Sequence, residues 1–127
     1  MSDLLVGLSI WATVYAGQYV DRPLYCSGVY TDTVAPWVAV PVSQMGTLYE
    51  CGDLVILRGL TAGGEPWWYQ GTVQDVGPLS LYCIETPDGC EPIGFDIPAI
   101  YAPFPGLSAR VTEVWNISAE ARAWRKH

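Results

Sequence analysis

The alternation of apolar and polar positions divides the chain into short elements of strand period. Residues 9–15 (SIWATVY) alternate small or polar with large side chains and stop at Gly17, which predicts a first strand. Residues 37–42 (WVAVPV) are read as a second. The run 52–58 (GDLVILR) is the least ambiguous strand, and the Gly-rich turn at 61–66 behind it predicts a hairpin in which 67–74 (WWYQGTVQ) returns antiparallel. The turn Asp75-Val76-Gly77-Pro78 follows, 78–92 is read as a loop with two cysteines, and 97–101 as one helical turn stopped by Pro103 and Pro105. A last strand at 110–116 (RVTEVWN) places Val111, Glu113 and Trp115 on one face and Thr112, Val114 and Asn116 on the other. Ser118 then caps a short helix at about 118–126, in part only, because Ala121 stands where a capping box has Glu or Gln. Arg122, Arg125 and Lys126 suit the negative end of its dipole.

Composition narrows this picture. With 127 residues, half of them hydrophobic and 15% charged, the chain fits a single compact domain and excludes a disordered tail or linker. Thirteen Gly and ten Pro are scattered among the apolar segments, so they punctuate many short elements and favour an all-β fold. A net charge of −7 sets the chain against a phosphate backbone or an anionic membrane surface, and no nucleic-acid partner is expected. The apolar stretch 4–10 is too short to span a bilayer and follows Asp3 where a secretory signal carries Lys or Arg. Neither membrane insertion nor a standard signal peptide is expected.

The four cysteines lack paired C-x-x-C spacing and the one histidine is His127, so neither a metal site nor a cofactor is expected. Four cysteines allow three connectivities. Cys83 with Cys90 would close a short loop holding Pro87, Asp88 and Gly89, leaving Cys26 with Cys51 by elimination. The alternative is four buried free thiols in a reducing cytosol. Disulfides are favoured, because an even count in a small, acidic, loop-rich chain is the usual oxidised pattern, and they imply an extracellular, cell-surface or virion location.

Five pieces stand in one order: Ala12-Thr13-Val14-Tyr15-Ala16-Gly17, Trp37-Val38-Ala39-Val40-Pro41, Cys51-Gly52-Asp53-Leu54-Val55, Asp75-Val76-Gly77-Pro78 and Phe95-Asp96-Ile97. In this order the chain resembles, from about Ala12 to Trp115, the double-psi β-barrel family of rare lipoprotein A, expansins, barwin and the family 45 endoglucanases. The resemblance implies a six-stranded barrel with a glycan groove across one face. Asp96 would be the general acid, Asp75 its partner in the same groove, and Tyr15 the floor. Apart from the resemblance, the chain's many aromatic rings make Trp37, Trp67 and Trp68 candidate substrate-contacting residues. An acid flanked by Phe95 and Ile97 and facing a second carboxylate suits protonation of a leaving glycosidic oxygen. Two histidines of the family have no counterpart: none precedes the strand near Leu54, and the expansin H-F-D step is Gly94-Phe95-Asp96.

Each residue also has a structural reading. Asp75 can cap its own turn, and Asp96 can be the N-cap of the helical turn at 97–101. Trp67-Trp68-Tyr69 puts consecutive rings on opposite faces of a strand, so at least one faces outward, where it stacks on a sugar or builds a protein interface. Asn116-Ile117-Ser118 matches a glycosylation sequon. Two functions follow. The first is acid-assisted cleavage or loosening of a β-1,4-linked polysaccharide, peptidoglycan ahead of cellulose. The second is a non-catalytic module of the same fold, a wall-binding domain or a structural subunit of an extracellular or viral assembly.

Overall fold

A computed structural model of the chain describes residues 4–15, 23–26 and 36–125, the side chains of 4–9 and 15 excepted. Its strands are β1 (Leu4–Tyr15), β2 (Trp37–Pro41), β3 (Leu54–Leu60), β4 (Pro66–Gly77), β5 (Cys83–Thr86), β6 (Gly89–Pro98) and β7 (Ser108–Asn116), followed by helix α1 (Ile117–Arg125). Six of them close a mixed barrel in the order β1-β7-β3-β4-β2-β6, with β6 returning to β1, while β5 extends β6 as a hairpin arm. This is the six-stranded barrel with a short C-terminal helix that the sequence predicts.

The ladders repeat. Exchanging β1 with β4, β2 with β6 and β3 with β7 maps the parallel pair β1–β6 onto the parallel pair β2–β4 and the antiparallel pair β1–β7 onto β3–β4. It maps β2–β6 and β3–β7, both antiparallel, onto themselves. Two interlocked halves of equal topology therefore build the barrel.

Strand alternation fills it. Val55 and Leu57 of β3, Trp67, Tyr69 and Val73 of β4, and Phe95 and Ile97 of β6 point inward with Val38, Val40, Val111 and Val114. The side chains between them on β3 and β4, such as Arg58, Trp68 and Gln70, face solvent. Burying each large apolar side chain contributes about 1.5–3 kcal/mol, so this interior is the main stabilising element. β2 is buried on both faces, because Leu24 covers Trp37 and Ala39 on the outside of the barrel.

Several local expectations are corrected. The stretch 78–92 is no loop: one helical turn (Leu79–Leu81) leads into the β5–β6 hairpin, which reverses at Gly89 with φ +117° and pairs Cys83 with Pro92 and Glu85 with Cys90. In β7 the inward set is Ala109 and Val111, then Val114 and Asn116. A register shift against β3, where Arg58 pairs with Glu113 but Gly59 with Val111, turns Glu113 and Trp115 away from the face of Val111. The turn at 97–101 shrinks to Ala99–Tyr101, since Ile97 and Pro98 still belong to β6. α1 is capped by Asn116, whose Oδ1 accepts the Ala119 amide (2.9 Å), while Ser118 Oγ instead accepts the Leu54 amide of β3 (2.9 Å).

Both disulfides are present, Cys26–Cys51 and Cys83–Cys90, with Cα separations of 5.4 and 5.5 Å. They tie the segment 23–26 to the turn before β3 and brace the hairpin arm. Among the described residues, no helix is long and apolar enough to cross a membrane.

Candidate functional site

The carboxylates singled out by the sequence are brought onto one row. Asp75 of β4 pairs with Ala39 of β2, Ala39 with Asp96 of β6, and Asp96 with Thr13 of β1. Ala39, Asp96 and Thr13 lie outside the barrel by alternation, because Val38, Val40, Phe95, Ile97 and Ala12 point in, and Asp75 joins them through the register shift that sets it, two residues after the inward Val73, opposite Ala39. Two strand spacings separate the aspartates, about 10 Å between Cα atoms. The row is also centred on the internal exchange of halves, which sends Ala39 to Asp96 and Asp75 to Thr13.

Their environments differ. Asp75 is fully buried, and its Oδ1 accepts the Tyr25 amide (3.1 Å). It lies within β4, two residues before that strand ends at Gly77. Asp96 is half-buried, and its Oδ1 accepts the Thr13 hydroxyl (2.9 Å). It is no helix cap, because the turn at Ala99–Tyr101 starts from Pro98 with no side-chain cap. The side chain of Tyr15 lies outside the described residues; its backbone pairs with Pro98.

The tryptophans separate into two groups. Trp37 is fully buried beneath Leu24, and Trp67 is buried in the barrel against Phe104 at 5.0 Å between ring centroids. Neither has a face free for a ligand, because strand alternation and the cover over β2 enclose them. Trp68, one residue from Trp67, is 64% exposed on the outer face of β4. It borders an open groove of about 410 Å³ with Gln70, Tyr69, Tyr101, Pro36 and Pro103. Tyr69 is anchored there by its hydroxyl, which donates to the Trp37 carbonyl (2.8 Å), and burial raises its pKa, so it stays protonated. Seven residues of strand, about 23 Å, separate Trp68 from Asp75, so the aromatic groove and the carboxylate row are distinct places.

Sequence reading missed a third cluster. Asp53, buried at the foot of β3, accepts from Arg122 of α1 through both oxygens and from Asn116 Nδ2 (2.8 Å). The Glu50 amide donates to its Oδ2 (3.0 Å), and Arg122 also reaches Glu50 Oε2 (2.6 Å). Burial alone would raise the Asp53 pKa, but Arg122, Asn116 and the Glu50 amide outweigh it and hold the carboxyl below the ordinary value. With its amide committed to Asp53 and only 5% of its surface exposed, Asn116 is inaccessible in the folded protein as a glycosylation acceptor. The only early signals were a single Asp beside a Gly at the start of an apolar strand and a basic residue on the tail helix.

On the far side of the carboxylate row, Glu91 accepts the Trp11 indole N–H (2.9 Å) and pairs with Arg110 (3.0 Å), which lies over the Trp11 ring at 4.8 Å from its centroid. This cluster ties β6, β1 and β7 together on the outer surface. Sγ of Cys83 and Cys90 and a Glu85 oxygen lie within 4.8 Å of one another, but the two sulfurs are bonded to each other. No protein-family model, curated protein or solved structure matches the chain.

Proposed function

We propose that the protein is a non-catalytic, disulfide-braced module on a double-psi barrel that binds a neutral glycan of a wall or surface through the Trp68 groove. The observation that carries this reading is the groove's lining: an exposed indole, one half-buried and one buried tyrosine, two prolines and one amide, with no carboxylate or cation among them. In a chain of net charge −7, such a neutral lining suits a ligand with apolar C–H faces for Trp68 and Tyr101 and hydroxyls for Gln70. The glycan strand of peptidoglycan and other β-1,4-linked polysaccharides have this chemistry. The repeated ladder map supports the double-psi reading, and the two disulfides support a working place in an oxidising compartment.

Retention on insoluble peptidoglycan and calorimetry with soluble β-1,4 oligosaccharides test this proposal. Trp68→Ala is expected to weaken binding about tenfold or more, a loss of roughly 1.4 kcal/mol, with thermal stability nearly unchanged because the ring is largely exposed. Wild-type protein that binds no glycan, or a variant that binds as well as wild type, would overturn it.

The buried state of Asp75 and the hydroxyl held against Asp96 favour binding over acid catalysis in this form of the protein. A zymogram on peptidoglycan beside a soluble-cellulose assay is expected to show no cleavage. Cleavage by wild type that Asp96→Asn abolishes, with its fold intact, would restore the acid role of Asp96.

A further inference from the structure

Two exposed apolar patches of opposite charge lie at the same end of the barrel. β1, β3 and β6 run one way through it and β2, β4 and β7 the other, so β7 ends beside the starts of β3 and β6 and the end of β4. Helix α1 leaves from that end of β7, and the turn Leu79–Leu81 with the β5–β6 arm joins the end of β4 to the barrel part of β6.

The helix is built inside out. Ser118 and Arg122, one turn apart, face the barrel, where Ser118 Oγ accepts the Leu54 amide and Arg122 holds Asp53 and Glu50. Ile117, Ala121 and Trp124, spaced i, i+4 and i+7, line another face. All three are exposed, Trp124 to 76%, and no residue of the helix is buried. An apolar stripe turned outward beside the exposed Arg125 is a contact surface in want of a partner. The arm is its complement: Leu81 and Tyr82 are 76% and 63% exposed, and the carboxylates of Glu85 and Asp88 that follow them are exposed too. Charge divides the chain in the same way. Residues 59–109 hold six Asp and Glu and no Lys or Arg, whereas residues 110–127 hold four Lys and Arg against two Glu.

We propose that the chain forms a two-fold symmetric dimer in which the Ile117, Ala121 and Trp124 face of α1 on each copy docks on Leu81 and Tyr82 of the other copy's arm. Both patches lie at one end, so a single two-fold axis brings the two reciprocal contacts together and the assembly closes at two. Trp124 and Tyr82 are the aromatic anchors of each contact, and Arg125 meets the carboxylates of Glu85 and Asp88. Pairing α1 with α1 would instead gather like charges from two basic tails. The dimer does not rest on glycan binding. Pro36 precedes β2 and Tyr101 and Pro103 follow β6, so the Trp68 groove lies at the opposite end and stays open.

Sedimentation equilibrium of the full chain over a concentration series tests the dimer. Wild type is expected to pass reversibly from 13.9 kDa to twice that mass. Raising the ionic strength from about 0.1 M to about 1 M shortens the Debye length from about 10 Å to about 3 Å and is expected to weaken association about threefold or more. Trp124→Ala and Leu81→Ser/Tyr82→Ser are each expected to weaken it about tenfold or more, with circular dichroism unchanged because these side chains are exposed. Mixed in equal amounts, the two variants are expected to associate more tightly than either alone, since the mixed dimer keeps one intact contact between helix and arm. The proposal is overturned by wild type that stays at 13.9 kDa throughout, by variants that associate like wild type, or by a mixture no tighter than its components.

Discussion

Asp53→Ala is expected to cost about 1–3 kcal/mol of stability, since it leaves the buried Asn116 amide without its acceptor at the foot of β3 and takes one of two carboxylates from Arg122, which keeps Glu50. Asp53→Asn keeps the shape but loses the charge, and should fall between wild type and Asp53→Ala. Denaturant titration read by far-ultraviolet circular dichroism measures both. The pH dependence has a definite sign. The Asp53 carboxyl is held below its ordinary value of 3.8 in the fold, so the stabilisation is fully present above that value and is lost as pH falls through the lower folded value. The gap between wild type and Asp53→Asn should therefore be constant from pH 7 down to roughly pH 4 and narrow below it. A gap that does not change between pH 7 and pH 2.5 would show that the charge of Asp53 contributes nothing.

Gly59→Ala is the second large effect. A Cβ at Gly59 would sit 1.8 Å from the Arg110 carbonyl oxygen and 2.6 Å from the Trp67 ring. The carbonyl is main chain of β7 and the ring is packed on Phe104, so neither yields without breaking the β3–β7 ladder at its register shift. The expected loss is about 3 kcal/mol or more. Gly64→Ala makes a control, because that turn glycine has φ +82° but open space around it, and only the backbone cost of about 1–2 kcal/mol applies. Equal midpoints for the two variants in urea would contradict the close packing at Gly59.

Elements whose cause is local were legible in the residues. The β3–β4 hairpin follows from alternating side chains on either side of a Gly-rich turn, and Cys83–Cys90 follows from the short span between the two cysteines. Long-range causes were not. The facing of Glu113 and Trp115 depends on a register shift against β3, more than fifty residues earlier. The burial of Asp75 depends on Tyr25, fifty residues away, and the role of Asp53 on Arg122, sixty-nine residues away. The site was legible by halves for the same reason. Adjacent rings on a strand require one to face out, which is Trp68, but nothing local says that Trp37 lies under a leucine from the segment 23–26.

The exchange of halves governs how the molecule can be made. Every one of the six ladders that close the barrel joins one of β1, β2 or β3 to one of β4, β6 or β7. A nascent chain released through Leu60 thus holds three strands that have no barrel partner among themselves. Its apolar edges wait for the second half to be synthesised. Conversely, two fragments cut in the turn between β3 and β4 hold complementary edges, and each is the template on which the other folds.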